Sequence, residues 1–463
     1  MASAARRSLF RKPNFAKLWT AATISLFGTG VSQLAIPFIA AVILKAPAGE
    51  VGLLATIEFL PFLLFTLPAG VWVDRFPRRR ILIIGDLGRG AMLVSIPIAA
   101  AAGVLTIWQL YLVGFVNGVM TVFFDVADQS YLPSILERDE LADGNAKLQI
   151  SQSAATILGQ PMGGGIVALL TAPMAVLVDA ISYLGSAALI VSIREGARDV
   201  VAGHRAASPI DAVDATEADQ VSMGTSAGAS VAAEAAVGDP GPTLADAPAG
   251  GMRAQIFDGL HFIIRHEYLG NIAATTGISN LFSNIGAAIF PVYAYRTLGM
   301  TPEAVGLIGG LAGAGILLGA LVTTGIQGRI GVGRTIVLGA AVTGPVGLLV
   351  PIASPETAVL IIGASFFLMS ICNVVYNVSQ VSLRQAITPD RMLGRMNASM
   401  RFLVWGTIPI GSLIGAGLSE VIGVQETVWV SAILSLFAFL PVLISKVPRI
   451  QTIPTGEPEP SAA

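Results

Sequence analysis

The chain is predicted to be an all-α polytopic membrane protein with 12 transmembrane helices in two six-helix bundles. Three observations carry that prediction. Long apolar runs recur along the sequence, charge gathers in the short gaps between them, and one polar stretch divides the runs six and six. Hydrophobic residues make up 54% of the chain and charged residues only 12%, whereas an ordinary soluble domain is about 25% charged. A soluble globule is thereby excluded.

A helix needs about 20 mostly apolar residues to cross the hydrocarbon. Runs of that order, ended by Pro, Gly or charge, occupy residues 14–44, 50–73, 80–103, 107–131, 140–168, 172–193, 268–295, 303–327, 334–352, 356–382, 391–420 and 427–446. The short alternating segments of an outer-membrane barrel are not seen, so the backbone is expected to satisfy itself within helices. Arg6, Arg7, Arg11, Lys12 and Lys17 precede or begin the first run. That run is too long for a signal-peptide core and lacks a small-residue cleavage site, so it is expected to be retained as a helix.

Between the second and third runs lies Gly70-Val71-Trp72-Val73-Asp74-Arg75-Phe76-Pro77-Arg78-Arg79-Arg80. Four arginines and an aspartate are too costly to bury in lipid, so this loop must meet water. Basic residues mark the cytoplasmic side. On that reading Arg329, Arg334, Arg384, Arg391, Arg395, Lys446 and Arg449 also lie inside, while the opposite loops hold little beyond Lys45 and Arg296. Both termini are therefore expected in the cytoplasm.

Residues 196–252 are rich in Ala, Gly, Ser, Pro and acidic residues, without apolar periodicity, and read as a disordered cytoplasmic linker. The expected domains are a six-helix bundle over 1–195, this linker, a second bundle over 253–447 and a cytoplasmic tail over 448–463. Just after the linker, Ile256 to Arg265 has helical alternation suited to the membrane surface. The two bundles repeat. An offset of 252 places Asn145 on Asn397, Val126 on Val378, Ser130 on Ser382, and Gly159, Gly163 and Gly165 on Gly411, Gly415 and Gly417. An offset of 254 places Val51-Gly52-Leu53 on Val305-Gly306-Leu307 and Arg75 on Arg329, with Gly328 opposite Asp74. Parallel halves of this kind occur in secondary transporters.

The spacing Gly70-x-x-x-Asp74-Arg75-x-x-Arg78-Arg79 resembles the loop between the second and third helices of the major facilitator superfamily, with Pro77 at a position usually held by glycine. Gly159-Gln160-Pro161-Met162-Gly163-Gly164-Gly165 resembles the fifth-helix signature of that superfamily's antiporters, with Gln160 in place of its first glycine. The stretches Phe123 to Pro133 and Leu141 to Ala146 resemble the branch of macrolide efflux proteins and enterobactin exporters. Branch members usually carry an acid in the first span near Gly28, where this chain has Thr29. An arginine often found in the fourth span is also missing, Asn117-Gly118 being the nearest polar feature.

The resemblance implies a conformational latch formed by Gly70, Asp74 and Arg75 with Asp125 or Asp128, which Asp86 and Arg89 extend at i, i+3 spacing. It implies an antiporter-like helix bend at Gly159, Pro161, Gly164 and Gly165. Because the first, fourth, seventh and tenth helices line the cavity in that superfamily, Gln33, Asn117, Asn280, Asn284, Asn373, Tyr376 and Asn377 become substrate-cavity candidates, alongside Phe282, Phe366 and Phe367. Carboxyls inside spans are expensive and point to function, so Glu58 and Asp179 are the proton-coupling candidates.

The expected function is export of a hydrophobic or amphipathic small molecule by proton antiport, with a dedicated siderophore or natural-product exporter and a transport-inactive receptor as alternatives. The expected partners are that solute, protons and the lipid bilayer, with the chain a monomer in the cell membrane. Catalysis is not expected, because no nucleophile or metal groups converge at membrane depth. Cys372 is the single cysteine, and His204, His261 and His266 lie in or just after the linker, so neither a disulfide nor a metal site is expected. No cofactor is expected either. A net charge of −2 gives no reason to expect nucleic acid, and the absence of a phosphate-binding Gly-x-x-x-x-Gly-Lys-Ser/Thr loop excludes an ATP-driven pump in one chain.

Overall fold

The computed structural model describes residues 9–73, 75–137, 140–193 and 252–452, with side chains described for all of these except 67, 70, 71, 252–258, 390, 391, 394 and 398. Most of the expected linker, all of the tail beyond 452, and Asp74 lie outside the described residues.

The first half comprises α1 (Pro13–Phe38), α2 (Ala48–Val73), α3 (Arg78–Ala101), α4 (Ile107–Ile135), α5 (Leu141–Leu170) and α6 (Ala172–Val191). The second begins with α7 (Met252–Arg265), followed by α8 (Leu269–Ala287), α9 (Pro302–Ile330), α10 (Val332–Gly347), α11 (Ala358–Ile387), α12 (Asp390–Trp405), α13 (Thr407–Val421) and α14 (Val424–Ser435). The described segments are helices and their connections, as a backbone in lipid requires. α12 and α13 form one span broken at Gly406, and α14 continues after a short break as Leu440–Ile444.

Eleven helices are long and apolar enough to cross a membrane among the described residues. The exception is α8, the seventh span expected from the sequence. It runs for 19 residues but carries Asn271, Thr275, Thr276, Ser279, Asn280, Ser283 and Asn284, which dilute its apolar character. Those same residues make it a polar wall within the second half.

The internal repeat is visible in the backbone. A π-helical turn over Ile39–Ile43 closes the first span, and another over Tyr293–Thr297 closes the seventh, 254 residues later. Lys45 and Gly299 follow at the same offset, both left-handed, with φ of 49° and 64°. Thr171 and Gly423, 252 apart, join α5 to α6 and α13 to α14 with φ of 91° and 99°. That region suits glycine, so Thr171 is held there under strain.

The described residues fall into two compact units. One takes in α1 up to Ala40 and the chain from Ile57 through α6; the other takes in Ala41–Thr56 and the chain from α7 onward. The first is built around Phe15, Leu18, Leu82, Tyr131, Leu132 and Ile190. The second has one cluster around Ile272, Ile336, Leu383 and Met396 and another around Ile289, Tyr293, Ile308 and Ile362. α7 packs on α12, where a Cβ at Gly259 would stand 2.6 Å from the Arg395 carbonyl oxygen. Ile263 on α7 is fully buried while Ile264 is exposed, the two-faced pattern expected of a surface helix.

Candidate functional site

Polar chemistry in the first unit centres on one buried arginine. Arg89 Nη2 donates to Asp86 Oδ1 at 2.5 Å, and both side chains are shut away from solvent. The guanidinium lies between two rings, 4.1 Å from the Phe124 centroid on α4 and 4.3 Å from the Tyr183 centroid on α6. Such stacking suits a weakly hydrated guanidinium. Asp125 and Asp128, in the turn of α4 that follows Phe124, are within electrostatic reach of this pair. The Tyr183 hydroxyl and Thr29 Oγ1 share a 2.8 Å hydrogen bond, which links the network to α1.

Asp179 lies one turn before Tyr183 and is also buried. Its Oδ1 accepts from Ser182 Oγ at 3.1 Å. A Cβ at Gly28 would stand 2.4 Å from the same oxygen, so the carboxyl fills the space above a residue with no side chain. Close packing of α3 against its neighbours, with Gly90 on Leu184 of α6 and Gly88 on Met120 of α4, brings these groups together.

The latch residues are placed differently from one another. Asp74 lies outside the described residues, and of Gly70 only the helical backbone is described. Arg75 is exposed, and its side chain makes no bond among the described residues. Asp125 and Asp128 face Arg89 instead. The following arginines do more than mark topology: Arg78 Nη1 donates to the Ser130 carbonyl at 3.0 Å, and Arg79 donates to the Ile190 and Val191 carbonyls at the end of α6.

Glu58 has a contrasting environment. It sits within α2, where Glu58 Cγ would be 2.8 Å from a Cβ at Gly114 of α4 and Oε1 would be 3.5 Å away. Its carboxyl makes no hydrogen bond or ion pair among the described residues. Neither α2 nor α4 contains Lys, Arg or His. Asn117, three residues beyond Gly114, has a buried Oδ1 with no hydrogen bond among the described residues. Gln33 on α1 likewise makes no side-chain bond among them.

The second-unit candidates are tied together by amide bonds. Along α11, Asn377 Nδ2 donates to Asn373 Oδ1 at 2.7 Å, Gln380 Nε2 to Asn377 Oδ1 at 3.3 Å, and Arg384 Nη1 to Gln380 Oε1 at 3.2 Å. Arg384 Nη2 reaches Asn397 Oδ1 of α12 at 3.4 Å. Asn280 donates to the Val404 carbonyl, Asn284 to the Asn280 carbonyl, and the Tyr376 hydroxyl pairs with Thr276 Oγ1 at 2.7 Å. Gln380, Arg384 and Asn397 were not among the sequence candidates. For Gln380 and Arg384 the signal was the polar series 373, 377, 380 and 384 at helical spacing along α11.

At the expected bend, α5 continues as a helix through Pro161. A Cβ at Gly159 would stand 3.3 Å from Gly30 Cα, and one at Gly163 would stand 3.0 Å from Val31 Cα, so these glycines let α5 cross α1 closely. Gly164 is buried too, whereas Gly165 faces open space. The repeat-related Gly411 and Gly415 make the same crossing with α8.

Two contacts within the second unit had no sequence signal. The Gly49 N–H donates to Glu420 Oε1 at 2.6 Å, and Arg296 Nε donates to the Ala41 carbonyl at 2.6 Å. Outside the spans, Lys12 Nζ bonds Glu140 Oε2 at 2.6 Å and holds that carboxyl below its ordinary range. Among the described residues no group of three or more His, Cys, Asp or Glu could hold a metal ion.

The sequence model of the Major Facilitator Superfamily matches residues 18–241 and 272–462. Among relatives, the chain is 30% identical to the multidrug efflux pump Tap of Mycobacterium tuberculosis over 170 residues, covering 35% of this chain and 39% of that protein. It is 28% identical to macrolide efflux protein A of Streptococcus pyogenes over 150 residues, covering 32% and 36%. It is 25% identical to the uncharacterized transporter YkuC of Bacillus subtilis over 186 residues, covering 40% and 43%. The matches thus span about two fifths of these relatives' own length. In fold, the chain resembles an inward-facing bacterial homologue of the iron transporter ferroportin, with a TM-score of 0.68, 15% identity and coverage of 94% of this chain and 99% of that one. The nucleoside transporter NupG gives a TM-score of 0.68 at 11% identity, covering 93% and 99%.

Proposed function

The chain belongs to the Major Facilitator Superfamily, and from that premise we propose that it exports a hydrophobic or amphipathic small molecule in exchange for protons by alternating access. Efflux proteins among its relatives support the direction of transport. The observation that carries the coupling is Glu58, a carboxyl inside a spanning helix with no partner among the described residues. An ionised carboxylate in that setting is costly, so it must be met by a proton or another cation during the cycle. Asp179 is the second candidate. Asp86, Arg89, Asp125 and Asp128, with Asp74 and Arg75 of the loop, form the conformational latch in this reading, because an ion pair that differs between two states biases their equilibrium.

The amides of α8 and α11 give the solute a mostly apolar chamber with a few hydrogen-bonding groups, a lining that suits bulky amphipathic cargo. The chain works as a two-bundle transporter rather than an enzyme, multi-pass in the cell membrane with both termini cytoplasmic and residues 196–252 as the connection. Export is tested by expressing the chain in cells lacking their own efflux systems and measuring susceptibility and accumulation across a panel of compounds. Lowered accumulation that collapses when the proton gradient is dissipated is the expected result. Unchanged accumulation of every compound would overturn the reading.

A further inference from the structure

A basic residue that only marks the cytoplasmic side would stand in water. Arg384, near the end of α11, is instead 3% exposed, and Arg401 on α12 is partly buried. Arg384 Nη2 reaches Asn397 Oδ1, and Arg401, one turn beyond Asn397, has its Cζ 5.2 Å from the Trp405 ring centroid. Residues 397, 401 and 405 therefore share one face of α12. A small cavity lies there within the second unit, its lining including Thr276 of α8, Gln380 and Arg384 of α11, and Arg401 and Trp405 of α12. It has room for about one water-sized group. Its described lining carries two guanidiniums and no carboxylate.

The bonding around the cavity decides what a guest would meet. Thr276 Oγ1 donates to the Ile272 carbonyl at 2.8 Å, and Gln380 Nε2 donates to Asn377. Gln380 Oε1 and Asn397 Oδ1 both accept from Arg384. The amide oxygens are thus turned to the arginine, and guanidinium N–H groups are the donors left to face a guest. At the repeat offset of 252, Gln380, Arg384 and Arg401 correspond to Asp128, Leu132 and Gln149. The pair of cations is a feature of the second half alone at these positions.

We propose that this cavity binds a compact monovalent anion between Arg384 and Arg401. Two like charges beside one cavity repel, and an anion placed between them accepts charge-assisted hydrogen bonds from both. Met400 and Val404 supply apolar wall, which strengthens those bonds by lowering the local dielectric. A cation is repelled, and a bulky anion does not enter because the space admits only one small group. Chloride and the carboxylate end of an amphipathic molecule both meet this description. The site does not depend on the export reading, although a carboxylate guest would make the cargo an amphipathic acid.

Broadening of the chloride NMR line by the purified full chain is the test. The expected result is saturable broadening that acetate suppresses and that Arg384→Gln and Arg401→Gln each weaken roughly tenfold. Arg401→Lys, which keeps the charge, retains most of it, and Arg449→Gln, at an exposed position outside the cavity, leaves it unchanged. Where Arg384→Gln fails to fold, Arg401→Gln decides. Absence of saturable broadening by the native chain would overturn the proposal, as would equal broadening by the native chain and Arg401→Gln. Phenylbutyrate distinguishes the two sources of the anion. Displacement of chloride at far lower concentration than acetate supports a carboxylate borne by the cargo, whereas displacement equal to or weaker than that by acetate supports a site for free chloride.

Discussion

α4 and α11 occupy the same place in the two halves, yet the first carries Asp125 and Asp128 where the second, 252 residues on, carries Asn377 and Gln380. The pattern extends to the neighbouring helices. Asp179 of α6 corresponds to Ser431, and at an offset of 254 Glu58, Asp86 and Arg89 correspond to Ala312, Ala340 and Thr343. The duplicated backbone has kept its turns and glycine crossings while its polar interior has diverged. The compared positions of the first half hold carboxyls, whereas α11 holds amides that bond one another at Asn373, Asn377 and Gln380, with Arg384 at the end of the series. Under the proposed function, coupling belongs to the first half and a polar lining to the second.

The largest expected effect is at Arg89. Removing one partner of a buried ion pair leaves uncompensated charge, so Arg89→Leu is expected to destabilise by about 3–5 kcal/mol, read from unfolding of the purified chain in detergent. A loss below about 1 kcal/mol would mean that the first half tolerates its acids without this cation. In the second half, Gln380→Leu takes a bond from each of Arg384 and Asn377, and a loss of about 1–3 kcal/mol is expected in the same assay. Strain gives an effect of opposite sign: Thr171→Gly is expected to stabilise by about 1 kcal/mol, whereas Gly423→Thr destabilises by a similar amount. Equal responses at the two positions would contradict the assignment of backbone strain to the first half.

Glu58→Gln breaks no bond among the described residues, so its unfolding is expected to stay within about 0.5 kcal/mol of the native chain while its coupling is lost. The smallest effect is at the surface. The hydrogen bond from Lys12, aided by the Glu137 N–H, favours ionised Glu140. That contribution is present above the ordinary value of 4.5 and is lost as pH falls through the lowered folded value. Protection of residues near Lys12 and Glu140 from hydrogen exchange should fall with acid in the native chain and be insensitive over that range in Glu140→Gln.

The spans were legible because hydrophobic length alone requires them, and the repeat was legible because asparagine and glycine positions rise above bulk hydrophobicity. α8 was legible as a run, but its seven polar residues set it apart from the other spans. Asp86 and Arg89 could be paired from their spacing on one helix. The placement of Arg89 between Phe124 and Tyr183 could not, because that depends on how three helices meet. The pairing expected for Arg75 rested on a loop pattern, and Asp74, its other member, lies outside the described residues. The bonds from Gly49 to Glu420 and from Arg296 to Ala41 join positions far apart in the chain through backbone groups, which leave no periodicity to read.

The most direct test of the assignment of coupling to Glu58 is proton movement during transport by Glu58→Gln in reconstituted vesicles. The account predicts that cargo movement no longer draws protons across the membrane in this variant, while the native chain and a second-half variant such as Thr343→Ala still show that flux. Full proton-coupled transport by Glu58→Gln would contradict it.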